Sequence, residues 1–509
     1  MENWSAGYMS EIDYTYGYYA ELCPSRVKLA FLNQGIVFPK FATACELGFG
    51  QGLSTNIHAA GSLTSWFGTD FNSSQAGFAR EISSIAGIEE TLIDQNFLEF
   101  TTRSDLPDFD YIALHGIWSW ISDENRKIIV DFIRRKLKVG GVLYISYNTQ
   151  PGWAGMIPVR DLLAEHSNVM SSPGDGIVKK INQSLEFVER LINVNSQFFR
   201  ANPQVVDRLK QIKTQDRNYL AHEYFNKDWH PMSFSRLSEW LLPAKLDFAC
   251  SANYLDHLEA LNLNSEQKLF LKEIETSVFR ETVRDFIVNQ QFRKDYWVKG
   301  IRKINSLERL EALREERIIL AKTTKEISLE VSGHLGKAKM RDEIYEPLLT
   351  CLSTHKPQKI GEIENALLGK VSFQELIESV MVLANNGTVL IAQSEEVCQK
   401  IKGTCERLNS HFIQKARASS EIQYLVSPLS GSGVFVGRFN QLFILALSKG
   451  IASKDWAKFV WGILSEQGQN IVKNGKKLET VDENLLELQE QAKNFESFRL
   501  PILKSLMIV

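Results

Sequence analysis

A glycine-rich turn follows a short apolar run near the start of the chain. In the sequence ACELGFGQG, residues 44–52, an acid, Glu46, precedes three glycines spaced two residues apart, Gly48, Gly50 and Gly52. A glycine turn between a strand and a helix lets a ligand approach the backbone closely and places it at the positive end of the helix. The spacing therefore predicts a site for a nucleotide or nucleoside.

Three kinds of ligand compete for this turn. A triphosphate site requires the pattern GxxxxGK[ST], and no lysine lies between Gly48 and Ser54. A dinucleotide site requires G-x-G-x-x-G, and Leu53 stands where the third glycine would be. The remaining pattern, ExGxGxG, fits S-adenosylmethionine (SAM), because its methionine tail and sulfonium need an open turn and a nearby acid.

Further polar residues follow the next predicted strands, at the edge where parallel sheets bind ligands. Asp70 is predicted to accept hydrogen bonds from both ribose hydroxyls, and a helix N-cap is its alternative role. Glu46 is expected to order the turn and the amino group of the cofactor. The residues predicted to complete the cofactor site are Phe71, Asn96, Phe97, His115 and Gly116.

Methyl transfer from a sulfonium is an in-line displacement, so much of its catalysis comes from holding the reactants in line within a dry site. His115 is the first candidate for binding the methionine end of the cofactor or for a proton path, and a buried histidine bonded to backbone is the alternative. Asn148 would orient a substrate amine or form an Asx turn. The other candidate catalytic residues are Tyr147 and Tyr18.

Aromatic residues are the candidates for the substrate side of the site, because aromatic faces attract cations. The alternating N-terminal tyrosines would form a lid, or else one packed face of a strand. The tryptophans would wall the pocket, and core packing is the alternative for Trp120. The predicted substrate-binding residues are Tyr14, Tyr16, Trp118 and Trp153.

Composition and charge exclude several classes of protein. A net charge of −3, from 58 basic and 61 acidic residues, gives no electrostatic case for nucleic acid or anionic membrane. The six cysteines form no CxxC pair, which favours a reducing compartment. His222, Glu223 and His230 lack the HExxH spacing, so no metal site is predicted. With no signal peptide and no apolar run of bilayer length, we expect a cytoplasmic protein without membrane insertion.

Strand-like and helix-like patterns alternate over residues 42–147, which predicts an α/β domain with a parallel sheet. Charged helical segments over residues 154–219 predict an insertion, and strand signals within residues 235–300 indicate that the sheet is completed there. Residues 340–393 are compatible with a winged-helix-like unit, and a mixed domain ends the chain.

Five segments carry a family resemblance, in this order: ExGxGxG at 46–52, HGIWSWIS at 115–122, GGVLYISYNTQPGW at 140–153, YLAHEYFNKDWHPMSF at 219–234 and RDFIVNQQFRKDYWVKG at 284–300. With them the chain resembles class I SAM-dependent methyltransferases, and more closely the bacterial group with a methyltransferase regulatory domain. That group includes protein-lysine methyltransferases that act on outer-membrane proteins. One departure is Phe49, where many members have a small residue.

The resemblance implies a Rossmann-like class I methyltransferase sheet with a helical insertion, plus α+β C-terminal domains, one of them winged-helix-like. It implies SAM as cofactor, a homodimer formed through the insertion, and a protein lysine as methyl acceptor. Methylation of a small molecule or surface sugar, and a catalytically silent binding scaffold, are the alternatives; nucleic acid is not expected as a partner. The expected boundaries are 1–153 for the SAM-binding domain, 154–221 for the insertion, 222–300 for completion of the sheet, 301–395 for the winged-helix-like domain and 396–509 for the C-terminal domain.

Overall fold

The structure of the chain, a computed structural model, describes residues 15–89, 91–172 and 174–509. Its centre is a seven-stranded sheet with the strand order β3-β2-β1-β4-β5-β7-β6. All strands are parallel except β7, which runs antiparallel to both of its neighbours. The strands are β1 (Thr43–Leu47), β2 (Ser65–Thr69), β3 (Thr91–Ile93), β4 (Phe109–Leu114), β5 (Leu137–Asn148), β6 (Leu246–Ser251) and β7 (Phe292–Lys299). The predicted α/β fold class is confirmed.

Three of the helices that connect the first five strands begin at polar side-chain caps. The side chain of Asn72 caps the helix of residues 73–86, and Ser122 caps the helix of residues 123–136, which starts with two acids and ends with three basic residues. Both caps thus place helix N-termini beside the carboxyl ends of strands. The helices of this part are α1 (Pro24–Asn33), α2 (Leu53–Ala60), α3 (Ser73–Ala86), α4 (Phe97–Thr101) and α5 (Asp123–Lys136).

Seven helices lie between β5 and β6, and the first six of them form a helical segment that interrupts the sheet. They enclose a separate apolar cluster that includes Trp153, Leu163 and Trp229. Formation of a dimer through this segment stays a prediction. Three more helices lie between β6 and β7. In chain order the ten helices are α6 (Gln150–Trp153), α7 (Ile157–Met170), α8 (Ile177–Asn193), α9 (Gln197–Ala201), α10 (Pro203–Lys213), α11 (Arg217–Tyr224), α12 (Phe234–Leu241), α13 (Glu259–Asn262), α14 (Ser265–Lys272) and α15 (Ser277–Ile287).

The middle part of the chain pairs three short strands, in the order β11-β8-β12, with helices on one side. A separate hairpin, β9-β10, lies between β8 and β11 in the chain. Its elements are α16 (Ser306–Glu315), β8 (Arg317–Leu320), β9 (Glu330–Gly333), β10 (Gly336–Lys339), α17 (Asp342–Leu352), β11 (Gln358–Lys359), α18 (Ile360–Ala366), α19 (Phe373–Asn385) and β12 (Val389–Ala392).

The C-terminal part is mainly helical and carries two hairpins, β13-β14 and β15-β16. A π-helical turn at Phe495–Arg499 joins its last two helices. The elements are α20 (Glu395–Lys415), β13 (Tyr424–Ser427), β14 (Ser432–Phe435), α21 (Arg438–Ser448), α22 (Trp456–Glu466), β15 (Val472–Lys473), β16 (Lys476–Lys477), α23 (Val481–Asn494) and α24 (Leu500–Ser505).

Three apolar clusters join the sheet to the rest of the chain. One face of the sheet packs with α1 and with the middle part, through residues such as Tyr144 and Met381. The opposite face packs on α5 and α12. Helices α2 and α3 pack against the C-terminal part, through residues such as Ile57 and Phe443. The middle and C-terminal parts therefore brace the sheet directly.

Helix α19 is the element that a DNA-binding winged helix would present to a groove. Eight of its 13 residues are buried, so it has little surface for that role. In the part of the chain that the structure describes, no helix combines the length and the apolar character that crossing a bilayer requires.

The glycine that starts α2 offers a test of the local packing. Gly52 has a φ of +66°, and a Cβ atom built there would lie 2.5 Å from the Cβ atom of Ala79. Gly77, on the exposed face of α3, would meet no atom within 4 Å. We expect Gly52→Ala to destabilise the fold by about 2 kcal/mol, through left-handed strain and overpacking. We expect Gly77→Ala to stabilise it by about 0.5 kcal/mol. Urea unfolding followed by tryptophan fluorescence checks both, and equal midpoints for the two variants would contradict this packing.

Candidate functional site

A cavity of about 330 Å³ opens at the carboxyl ends of β1, β2 and β4. Its volume lies at the lower end of the usual range for small-molecule sites, and this edge is where open α/β sheets bind ligands. Eight of the residues predicted for the cofactor line it, namely Gly48, Gly50, Asp70, Phe71, Asn96, Phe97, His115 and Gly116. The structure thus brings together residues from four separate loops.

The glycine turn has the open backbone that its sequence predicts. Gly48, Gly50 and Gly52 have φ values of +75°, +57° and +66°. A Cβ atom at Gly48 would lie 2.6 Å from the Cγ2 atom of Ile117, so only glycine fits beneath the loop after β4. Gly52 does not line the cavity, because it is the residue that begins α2. Two glycines of the turn therefore line the cavity, and the third is the N-cap of α2.

Asp70 follows β2 and holds the turn through its carboxylate. The backbone N–H of Gly50 donates to Oδ2 over 2.8 Å, and that of Asn72 donates to Oδ1 over 3.0 Å. The carboxylate is 7% exposed, and burial raises its pKa to about 6 even though both hydrogen bonds lower it. Each carboxylate oxygen keeps a second lone pair, so Asp70 can also accept ligand hydroxyls.

Glu46 lies within β1 and does not line the cavity. Its side chain is 1% exposed, and its Oε2 atom accepts the hydroxyl proton of Thr55 in the first turns of α2. Burial raises the pKa of this carboxyl to about 7, against the hydrogen bond from Thr55, which lowers it. Glu46 thus binds the start of α2, beside the turn, while its predicted roles in ordering the turn and the amino group of a cofactor stay predictions.

His115 lies on the edge of the cavity between two tyrosines. The Tyr19 ring stacks on the imidazole with 3.5 Å between the ring centroids, and Nδ1 lies 2.9 Å from the hydroxyl of Tyr144. Burial lowers the pKa of His115 to about 3, so its imidazole is neutral near pH 7. Tyr19 is itself held on α2, because its N–H donates to Ser54 Oγ and its carbonyl accepts from His58 Nε2.

Asn96 and Phe97 cover the cavity from the loop after β3. The Oδ1 atom of Asn96 accepts the backbone N–H of Glu99, and the Glu99 carboxylate accepts the N–H of Asn96, which forms a capping box on α4. The amide nitrogen of Asn96 remains as a donor. Phe97 is half-buried beside it and presents an aromatic surface.

Four predicted residues at the end of β4 and β5 do not line the cavity. Trp118 is fully buried and donates its indole N–H to Met232, and Trp153 packs in the core of the insertion. Asn148 is 2% exposed, and its backbone N–H donates to Ser119. Tyr147 lies on the face of β5 that packs on α5 and α12, and its hydroxyl donates to Asp295.

Asp295 belongs to a buried ionic cluster around Arg293 in β7. The guanidinium contacts Asp295 over 2.8 Å, Asp285 over 2.7 Å and Glu281 over 3.0 Å. Burial raises the pKa of Asp295 to about 7, against the attraction of Arg293, which lowers it. The cluster connects β7 to α15.

Two tyrosines of the predicted lid, Tyr16 and Tyr18, do not line the cavity. Tyr14 is outside the described residues. Tyr16 packs edge-on against Phe78 of α3, and Tyr18 packs against Tyr424 in the C-terminal part. The residue that reaches the cavity is Tyr19, one position further along the same segment.

Sequence reasoning missed several lining residues, or left them undecided. Tyr19 belongs to the run of tyrosines, and Gln95 is adjacent to Asn96. Their closeness to predicted residues was thus the only sequence feature that could have indicated that they line the cavity. Phe49, the departure from the family pattern, packs under the turn on Ala79 and also borders the cavity. The others that matter for chemistry are Trp120, Glu124 and Asp228.

Two of these side chains carry buried polar atoms without a hydrogen-bond partner in the described part of the chain. They are Oε1 of Gln95, an acceptor, and Nε1 of Trp120, a donor. Leaving such an atom unpaired costs about 1 to 3 kcal/mol, so native structures usually pair them. A ligand with both donors and acceptors fits this lining.

Comparison with known proteins agrees with the geometry. A family model described as "Predicted methyltransferase regulatory domain" matches residues 216–299. The uncharacterized protein sll1526 from Synechocystis sp. is 38% identical over 511 residues, which cover 99% of each chain. The uncharacterized protein RP789 from Rickettsia prowazekii is 27% identical over 197 residues, 39% of this chain and 35% of that protein. The structure of PKMT2 from Rickettsia typhi in complex with AdoHcy has a TM-score of 0.68 at 18% identity, covering 97% of this chain and 99% of that one.

The chain therefore belongs to the same family as sll1526, and it carries a methyltransferase regulatory domain on a class I methyltransferase fold. The matched residues run from α11 to the end of β7, so this domain supplies the last two strands of the sheet. The resemblance drawn from the sequence is confirmed at the level of family and fold.

The raised pKa of Glu46 predicts a pH effect on stability. The folded state holds the proton more tightly than the unfolded chain, whose carboxyl titrates near 4.5. The contribution of Glu46 to the free energy of unfolding is therefore fully present below pH 4.5, and it is lost as the pH rises toward 7. Glu46→Gln keeps an acceptor for Thr55 and does not ionise. We expect the melting temperature of this variant to exceed that of the wild type by an amount that grows between about pH 5 and about pH 8. A difference in melting temperature that does not change with pH would contradict the raised pKa of Glu46.

Proposed function

We propose that this protein is a SAM-dependent methyltransferase. The observation that carries the proposal is the cavity itself, which a glycine turn and the Asp70 carboxylate form at the carboxyl edge of a class I methyltransferase sheet. The structure of PKMT2, which shares this fold, contains AdoHcy. The cavity walls suit a nucleoside because they offer a carboxylate for hydroxyls, aromatic surface from Phe71 and Phe97, and unpaired polar atoms on Gln95 and Trp120.

The charges of the lining also suit a cationic cofactor. When bound, SAM supplies a methyl group on a positive sulfur; the acceptor's lone pair forms the new bond to carbon, and sulfur keeps the electron pair of the bond that breaks. Since burial lowers the pKa of His115 to about 3, the imidazole does not repel a sulfonium at neutral pH. The same low pKa makes His115 a poor general base, which favours a hydrogen-bonding role over a proton path.

We propose a protein lysine as the methyl acceptor. Glu124 and Asp228 line the same cavity, and their carboxylates would attract a cationic side chain. The sequence resemblance to bacterial protein-lysine methyltransferases supports the same acceptor. An amine must lose its proton before it can attack, and the rim carboxylates and solvent provide the route for that proton. A sugar or small-molecule acceptor is the second candidate, since the cavity is narrow.

Calorimetric titration with SAM tests the cofactor assignment. We expect Asp70→Ala to weaken SAM binding at least tenfold, because charged hydrogen bonds contribute about 1.5 to 3 kcal/mol each. Asp110→Ala is the matched control. Asp110 also accepts two backbone N–H groups, from Ala42 and Thr43, but at the start of β4, at the opposite edge of the sheet. Equal binding by both variants would remove Asp70 from the site, and no binding by the wild type would contradict the proposed function.

A tritiated-methyl assay tests the acceptor class. Cell lysate is separated into protein, glycan and small-molecule fractions, and each is incubated with the enzyme and labelled SAM. We expect label in the protein fraction, recovered as methyl-lysine after hydrolysis, and at least tenfold less label with Asp70→Ala. Label confined to small molecules would contradict the lysine proposal. SAM binding without transfer to any fraction would instead support the silent scaffold.

A further inference from the structure

The imidazole of His115 is held in one orientation by its surroundings. The Tyr19 ring covers one face of the imidazole, and the Tyr144 hydroxyl engages Nδ1. The nearest ionic groups, Glu21 and Lys294, are paired with each other. The ring nitrogen opposite Nδ1 is Nε2, which forms no hydrogen bond within the residues that the structure describes. It is therefore the atom that His115 can offer to a ligand in the cavity that it lines.

Which nitrogen carries the proton follows from the partners of Tyr144. Tyr144 is fully buried on β5, and its hydroxyl forms a hydrogen bond with Nδ1 of His115, an atom that can be a strong acceptor. Burial raises the pKa of this phenol well above its usual value, so the hydroxyl keeps its proton. A phenol is a stronger donor than a neutral imidazole N–H, and an imidazole nitrogen is the stronger acceptor. The hydroxyl thus donates to Nδ1.

Ser146, two residues along the same strand, reinforces this direction. The backbone N–H of Gly116 can only donate, and it donates to Ser146 Oγ over 2.8 Å. The Ser146 side chain lowers the phenol pKa of Tyr144 against the larger effect of burial, as a hydroxyl that donates toward the phenol oxygen does. This arrangement, with Gly116 donating to Ser146 and the Tyr144 hydroxyl 2.9 Å from His115, agrees with a phenol that donates to Nδ1.

We propose that Tyr144 is a positioning residue: by donating to Nδ1 it leaves the proton of His115 on Nε2, which presents an N–H donor to the carboxylate of the ligand's amino-acid end. The inference rests on the proposed function, because it assumes a ligand with a nucleoside and an amino-acid end. A carboxylate is the ligand group that a neutral N–H donor in a buried site binds most strongly. Tyr144 does not touch the ligand itself, since His115 lies between them.

Paired titrations with two ligands test the proposal without any methyl acceptor. S-adenosylhomocysteine carries the amino-acid end, and 5′-methylthioadenosine has the same nucleoside and thioether but lacks the carboxylate. We expect Tyr144→Phe to weaken S-adenosylhomocysteine binding about tenfold and to leave methylthioadenosine binding unchanged within about twofold. Unchanged binding of the second ligand also shows that the variant is folded.

Tyr111→Phe is the matched control. Tyr111 is a fully buried tyrosine on the adjacent strand β4, and its hydroxyl has no hydrogen-bond partner among the described residues. It should bind both ligands like the wild type. Nitrogen-15 spectra of histidine-labelled protein, assigned through the signals lost in His115→Gln, should show a protonated Nε2 in the wild type and a changed tautomer mixture in Tyr144→Phe.

The possible failures are distinguishable. If the wild type binds neither ligand, the proposed function fails. If it binds both and Tyr144→Phe weakens both equally, or neither, the positioning role is overturned while the cofactor assignment stands. A wild-type His115 with its proton on Nδ1 would overturn the inference directly.

Discussion

The hydrogen bond from the Gly50 backbone to the Asp70 carboxylate is the contact on which the site depends. It ties the turn after β1 to the end of β2, and it requires a left-handed backbone that glycine adopts without strain. The buried carboxylate accepts the Gly50 N–H of the turn and the Asn72 N–H at the start of α3, so it fixes the turn against the end of β2. The other lining residues can then converge on one cavity, because each follows a strand that ends at the same edge.

The cavity also depends on parts of the chain that are distant in sequence. Adjacent residues of the N-terminal segment face different partners: Tyr19 stacks on His115, while Tyr18 packs on Tyr424, and the ring of Tyr18 leaves no room for a Cβ atom at Gly433. The segment that covers the site is thus held by the C-terminal hairpin. The C-terminal part is therefore physically connected to the site, although none of its residues lines the cavity.

The sequence was sufficient for features with local signals. The strand and helix alternation, the interruption of the sheet, and the cavity roles of Gly48, Gly50, Asp70 and His115 all follow from periodicity and spacing. Side-chain direction was not predictable in the same way. Tyr147 and Tyr144 are tyrosines of the same apolar strand, β5. Its pairing with β7 brings Tyr147 to Asp295, and its pairing with β4 brings Tyr144 to His115. Likewise, long-range packing decides that Tyr19, rather than Tyr16 or Tyr18, reaches the cavity.

Hydrogen exchange measured by mass spectrometry, with and without SAM, tests the central claim most directly, because it maps the ligand on the wild-type protein without any substitution. The account predicts slower exchange in four separate segments, 48–54, 70–75, 95–98 and 115–121, which meet only in the folded cavity. Binding that protects none of these segments, or that protects a different part of the chain instead, would contradict it.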